Sequence, residues 1–218
     1  KYILLNFVHG RLIIHLGMTG RLRVLDTPIE PAKHDHIDIC FNSGRFIRYN
    51  DTRRFGSVHW EPTGQPHFLL TTLGVEPLDD AFNANYLHTV CQKRKTPIKT
   101  LLMNHKVVVG IGNIYASEAL FLAKVHPSKP AHAITKQEAK AIVQHSRACL
   151  QSAIACGGTT LKDFQKADGK PGYFQNKLYV YGRQKQACLI CQTPIEKFTQ
   201  AQRATFFCAG CQGAMPAT

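Results

Sequence analysis

Acidic side chains are scarce in this sequence: 14 Asp and Glu stand against 27 Lys and Arg, a formal charge of +13 before any histidine is counted. Such an excess points to a polyanionic partner, with nucleic acid ahead of a membrane surface because no long basic amphipathic helix presents itself. A basic surface that serves solubility alone would have the same composition. Long apolar runs are also lacking, since none approaches the ~18 residues of a membrane span. Glycine and proline are scattered rather than clustered, and 44% of the 218 residues are hydrophobic, which excludes disorder and leaves room for one large domain or two ordinary ones. There is no dense cysteine framework. Cys40, Cys91, Cys149 and Cys156 are isolated and read as small buried hydrophobes in a reducing compartment, the cytoplasm or nucleoid.

What is present falls into regions. Residues 1–60 are β-rich, with candidate strands YILLNFV, RLIIHL, RLRVL, HIDICF and RFIRY separated by turn signals such as Gly17 to Gly20 and Asn42-Ser43-Gly44. KYILLNF, at the very start, already has the character of an interior strand, and neither an initiator Met nor a signal peptide leads into it. Alternation is imperfect in Arg45-Phe46-Ile47-Arg48-Tyr49, which suggests a sandwich with both faces partly covered.

From about residue 79 the pattern turns helical. Thr96 is expected to N-cap a helix whose first residue is Pro97, and a second helix follows Gly110-Ile111-Gly112-Asn113. A third opens with the capping box Thr135 to Glu138, buries Ala139, Ile142, Val143, Leu150, Ala153 and Ile154, and stops at Gly157-Gly158.

The strongest local signal is Cys188-x-x-Cys191 followed by Cys208-x-x-Cys211. Each C-x-x-C turn aims two thiolates at one point, and two such turns complete a closed tetrahedral shell for one structural Zn²⁺; paired disulfides are the competing reading. The intervening TPIEKFTQAQRATFF resembles a β-hairpin with Arg203 close to its second strand, where a lone Arg is ordinarily solvated surface. Gly110 and Gly112 allow a tight turn into a helix N-terminus that suits a phosphate, although a plain packing joint would look the same. His88 to Lys106 carries five Lys and Arg and no acid, and such a stretch beside a zinc ribbon points to DNA backbone contacts.

HLGMTGRLRV, KHDH, RYNDTRRFGS, LGVEPL, GIGNIYASEALF, GGTTLKDF, DGKPGYF, YVYGR and QRATFFC resemble, in order and along nearly the whole chain, the bacterial formamidopyrimidine-DNA glycosylases. The fold this implies is α+β: a truncated β-sandwich domain (1–74), a helical domain with a helix–two-turns–helix (75–160), a linker with a lesion-recognition loop (161–180) and a zinc ribbon (181–213). The activity it implies is base-excision repair. Oxidised purines, 8-oxoguanine and formamidopyrimidines, are removed from duplex DNA by base flipping, Schiff-base formation and β,δ-elimination at the abasic site. The partner it implies is duplex DNA with oxidised bases or abasic sites, bound by a monomer and without a membrane.

By the same resemblance Met18, Arg53 and Phe55 form the intercalating wedge, where core packing would otherwise be the ordinary reading of Met18 and Phe55. His15, His34, Arg53, Arg94, Lys99 and Asn113 contact DNA, and Lys1 and Arg203 are the proton donors for β- and δ-elimination. Gly169, Lys170, Gly172 and Tyr173 belong to the loop over the flipped base. The family's nucleophile is an N-terminal proline followed by glutamate, and neither occurs here. The expectation is therefore a fragment or shortened copy that holds DNA without the normal nucleophile and forms no borohydride-trapped complex by the proline route. A non-catalytic damaged-DNA-binding module and an endonuclease VIII-like glycosylase for oxidised pyrimidines are the alternatives.

Overall fold

The computed structural model describes residues 2–156 and 178–213. Lys1, the loop residues Gly169, Lys170, Gly172 and Tyr173, and the expected helix stop at Gly157-Gly158 lie outside them. The chain divides into two compact units, one running to Thr71 and the other starting at Thr72 and taking in the C-terminal hairpin.

The first unit holds two three-stranded antiparallel sheets that form the β-sandwich. Strands β1 (Ile3–Phe7), β2 (Gly10–His15) and β6 (Ser57–Pro62) are ordered β1-β2-β6, and β3 (Arg21–Leu25), β4 (Asp35–Cys40) and β5 (Phe46–Asn50) are ordered β3-β5-β4. The five strands visible in the sequence form within a residue or two of their expected places. SVHWEP also forms a strand, β6, that local pattern did not suggest; its polar and aromatic residues lack an apolar run, and its register with β2, Ile13 opposite His59, exists only once the two segments meet. The irregular alternation in β5 has a physical cause. Phe46 and Tyr49 are buried, and so is Arg48, whose Nε and Nη2 each donate to Asp38 on β4 at 2.8 Å while its Nη1 lies 3.5 Å from Asp35. A guanidinium matched to carboxylates on the neighbouring strand can occupy a covered face that an unpaired charge could not. A short helix, α1 (Phe68–Thr71), closes the unit.

The second unit is built on α2 (Ala84–Gln92), α3 (Ile98–Leu102), α4 (Asn113–Leu122) and α5 (Lys136–Ala155), with a 3₁₀ turn at Ala131–Ala133. Phe82, Leu87, Ile98, Leu102, Leu120 and Ile142 are central to their shared core. Asn83 caps α2 by accepting from the Tyr86 N–H at 3.0 Å. The capping box of α5 forms reciprocally: Thr135 Oγ1 accepts from the Glu138 N–H at 3.1 Å, and Glu138 Oε2 accepts from the Thr135 N–H at 2.9 Å.

Three local expectations are corrected. Of the isolated cysteines expected to be buried, Cys91 is, whereas Cys40 and Cys156 are exposed. Pro97, not Thr96, is the N-cap of α3, with an extended ψ of 142°. Thr96 is held outside the helix because its carbonyl accepts from the Ala131 N–H at 2.9 Å, and Pro97 bridges to Pro130. Ile154, expected in the core, is 64% exposed. At 20 residues α5 outruns α2 and α4, of 9 and 10 residues, so these partners do not cover its last turn.

Ala116 to Phe121 of α4 are all buried, and the helix serves two cores at once. Leu120 faces the helical one, while Phe121 joins Val180, Ile195 and Phe206 in a second cluster under the hairpin β7 (Ile195–Gln200) and β8 (Arg203–Cys208). A four-residue helix, α6 (Ala209–Gln212), follows β8. Among the described residues no helix is long and apolar enough to cross a membrane.

Candidate nucleic-acid interface and metal centre

In the first unit two loops meet at one end of the strands. The turn between β2 and β3 carries Met18, 63% exposed, and the segment between β5 and β6 carries Arg53 and Phe55, the latter 57% exposed. The Arg53 guanidinium lies over the Phe55 ring, 4.6 Å from its centroid. At Gly17, φ is +60° and a Cβ would fall 2.7 Å from the Phe55 carbonyl carbon, so only glycine permits this approach of the two loops. Large apolar side chains left in solvent beside a cation suit insertion between bases better than core packing. His15, at the end of β2, is half-buried beside the Tyr2 ring at 5.3 Å, and burial pushes its pKa down. His34 lies one residue before β4, and its carbonyl accepts from the Asp51 N–H at 3.0 Å.

Asp51 is a residue that sequence reasoning missed. Fully buried, it accepts from Thr19 Oγ1 at 2.5 Å, Tyr49 Oη at 2.9 Å, the Gly56 N–H at 2.9 Å and the Arg53 N–H at 3.3 Å. Burial alone would raise its pKa; the Thr19, Gly56, Tyr49 and Arg53 donors outweigh that and bring it down to about 2. The available signal was an Asp directly after a strand, in D-T-R-R-F-G, where an aspartate side chain characteristically bonds the backbone two residues on.

In the second unit the functional candidates gather at the mouth of α4. Gly112 caps this helix in an extended conformation without a side-chain bond, so its first turn presents backbone N–H groups and the positive end of the helix dipole. Asn113 is turned inward: its Oδ1 accepts from Lys99 Nζ at 2.6 Å and its Nδ2 donates to the Ala204 carbonyl at 3.0 Å. Lys99 was expected to contact DNA, but it is 1% exposed, and its ammonium also donates to Thr205 Oγ1 at 2.7 Å and the Ala204 carbonyl at 3.2 Å. Through these bonds the ammonium braces α3, α4 and β8 together. Burial, reinforced by the Arg203 charge, lowers its pKa to about 8. Arg203 itself is exposed at the first position of β8, after a tight turn in which Ala201 and Gln202 both have positive φ. A cavity of about 280 Å³ opens between Arg203, Gln200, Met103 and Asn104. Arg94 is exposed just beyond α2.

Glu118 is a second residue that sequence reasoning missed, and unlike Asp51 it carries no local signal. It is 4% exposed within α4, and its carboxylate accepts the N–H groups of Tyr179, Val180 and Tyr181 at 2.7, 3.0 and 2.8 Å. This anchors the chain entering the ribbon to the central helix. Burial pushes the Glu118 pKa up, and the three amides only partly offset it.

The Sγ atoms of Cys188, Cys191, Cys208 and Cys211 all lie within 4.8 Å of one another. Separations of 3.4 Å for Cys191–Cys208 and Cys191–Cys211 and 3.9 Å for Cys188–Cys211 far exceed a disulfide and bracket the ~3.8 Å edge of a tetrahedral thiolate shell around a metal. The four residues can hold one metal ion with no position left open.

Two family models match the chain, the formamidopyrimidine-DNA glycosylase N-terminal domain over residues 1–58 and its H2TH domain over residues 73–165. A formamidopyrimidine-DNA glycosylase of Hydrogenovibrio crunogenus is 53% identical over all of this chain and 78% of its own length. The chain belongs to the formamidopyrimidine-DNA glycosylase family. An Escherichia coli glycosylase of that name is 50% identical across 97% of the chain and 79% of its own length. Among solved structures, the MutM (Fpg) protein of Thermus thermophilus superposes with a TM-score of 0.88 at 37% identity, covering 99% of this chain and 81% of that one. The Lactococcus lactis glycosylase in complex with abasic-site DNA gives 0.89 at 33% identity, over 98% of this chain and 79% of that one. The β-sandwich, the H2TH helices and the four-cysteine ribbon are thus the glycosylase architecture, found here in the glycosylase order.

Proposed function

We propose that this protein is a base-excision repair DNA glycosylase that recognises oxidised purines in duplex DNA and acts on them and on the resulting abasic sites. The observation that carries this reading is the exposed trio Met18, Arg53 and Phe55. A flexible thioether, a cation and a flat ring lie on two interlocked loops, and this is the equipment needed to part a base step and occupy the gap left by a flipped nucleotide. MutM and Lactococcus lactis glycosylase structures with 8-oxo-guanine and abasic-site DNA support the same reading.

In this scheme Met18 fills the space of the departing base, Arg53 bonds the orphaned opposite base and Phe55 pries the adjacent step. His15, His34 and Arg94 meet the phosphate backbone. The uncapped first turn of α4 takes a phosphate through backbone N–H groups, with Asn113 fixed there by Lys99, and Arg203 reaches a phosphate beside the lesion and supplies a proton for elimination. The roles of Lys1 as proton donor and of Gly169, Lys170, Gly172 and Tyr173 as the loop over the flipped base rest on resemblance alone. Zinc is the ion proposed for the four thiols, since an S₄ shell with no open position suits a structural Zn²⁺. The excess of basic residues suits DNA in the bacterial cytoplasm.

Competition binding between an 8-oxoguanine duplex and its undamaged counterpart, repeated over a salt series, tests the reading. The expected result is a lesion preference that survives as salt rises. Equal affinities with one steep salt slope would reduce the protein to a phosphate binder and overturn it.

A further inference from the structure

The two loops that carry the exposed trio share one buried carboxylate. Asp51 receives Thr19 Oγ1 from the Met18 turn, the Arg53 and Gly56 N–H groups from the Arg53–Phe55 segment, and Tyr49 Oη from β5. Thr19 Oγ1 is itself within 3.1 Å of the Arg53 N–H, so the hydroxyl spans both loops. Through its backbone Asp51 also reaches the stretch holding His34: its N–H donates to the His34 carbonyl at 3.0 Å, and its carbonyl meets His36 Nε2 at 2.8 Å. Among the described residues no cation is a side-chain partner of this carboxylate, which is met by hydrogen-bond donors while Asp51 itself has no exposed surface.

A buried anion of that kind is costly, and a sandwich core does not need one. What it provides here is geometric. A carboxylate has about four acceptor positions, and all are taken by donors drawn from separate segments, so none of these can move without orphaning a buried polar group. We propose that Asp51, acting with Thr19, is the positioning residue of the DNA wedge, clasping the Met18 turn to the Arg53–Phe55 segment so that both enter the base stack as one rigid body. This rests on the reading of Met18, Arg53 and Phe55 as the wedge. Parting a base step costs a few kcal/mol, and loops already ordered in the free protein spend none of their contact energy on their own immobilisation.

The test uses the full chain and a short duplex carrying a tetrahydrofuran abasic-site analogue next to 2-aminopurine, whose fluorescence rises when it unstacks. Thr19→Val, Thr19→Ser, Asp51→Asn and Met18→Ala are compared for fluorescence amplitude and for affinity toward this duplex and an intact one. Thr19→Val and Asp51→Asn are expected to lower the amplitude and to weaken binding of the abasic duplex about tenfold, with intact-duplex affinity within about twofold of the parent. Thr19→Ser should restore both. A merely structural role would instead weaken both duplexes alike. If Asp51→Asn does not fold, Thr19→Val decides, since it removes one hydroxyl. Parental amplitude and discrimination in Thr19→Val, with Met18→Ala impaired, would overturn the clasp and leave the wedge standing. Unstacking that survives Met18→Ala would overturn the wedge and the clasp with it.

Discussion

The Lys99 ammonium stands 2.7 Å from the Thr205 hydroxyl, joining α3 to β8 across 106 residues of sequence. Lys99 and exposed Arg203 line the same cavity, so the charge of the buried lysine bears on the surface proposed to take a phosphate. Its pKa of about 8 lies below the usual 10.5, first through burial and then through Arg203. DNA affinity should therefore weaken as pH rises through about 8, and the inflection should vanish in Lys99→Met. That variant should bind about threefold to tenfold more weakly at neutral pH. Fluorescence anisotropy at fixed ionic strength measures this, and identical pH profiles for both proteins would contradict it. Stability has the opposite sign: between 8 and 10.5 the unfolded chain holds more protons at this site than the folded one, so the Lys99 contribution rises with pH.

Acid should act on the first unit through Asp51. Its folded pKa of about 2 is below the ordinary 3.8, so the stabilisation is fully present above 3.8 and is lost as pH falls through about 2. Asp51→Asn should remove this dependence and cost about 1–3 kcal/mol at neutral pH, because an amide cannot accept from all the donors the carboxylate satisfies. The single tryptophan, Trp60, lies in β6 of this unit, and its fluorescence in denaturant titrations at stepped pH reports the change.

Glu118→Ala should orphan three backbone N–H groups at once and cost at least about 3 kcal/mol. Glu118→Gln retains one acceptor oxygen and should fall between that variant and the parent. Thermal melts rank the three proteins, and an Ala variant as stable as the parent would show that the anchor contributes nothing.

Metal removal should release the hairpin. Native mass spectrometry should find one metal ion per chain. A strong chelator, or Cys211→Ser, should abolish slow amide exchange across β7 and β8, where Phe206 and Phe207 otherwise lie buried. Protection unchanged after metal loss would mean that the aromatic cluster alone holds the hairpin.

Features that act within a few residues were legible in advance. The two C-x-x-C turns, the Thr135–Glu138 capping box, the hairpin that carries Arg203 and five of the six strands of the sandwich each depend on spacing or alternation, which a short window of sequence contains. The resemblance of GIGNIYASEALF and RYNDTRRFGS to glycosylase motifs carried the family reading, which the relatives bear out. Nothing local distinguished Lys99 from its basic neighbours, although it is buried and Arg94 is exposed.

Sequence by itself determined the family, the order of its parts and the four thiols, because those follow from residue type and spacing along the chain. Only the tertiary structure decided which charges are buried and what they hold. Asp51 meets Thr19 across 32 residues, Glu118 meets Val180 across 62 and Lys99 meets Thr205 across 106. A polar group becomes structural when distant segments remove its water and replace the lost hydrogen bonds, and the chain acquires that environment only on folding.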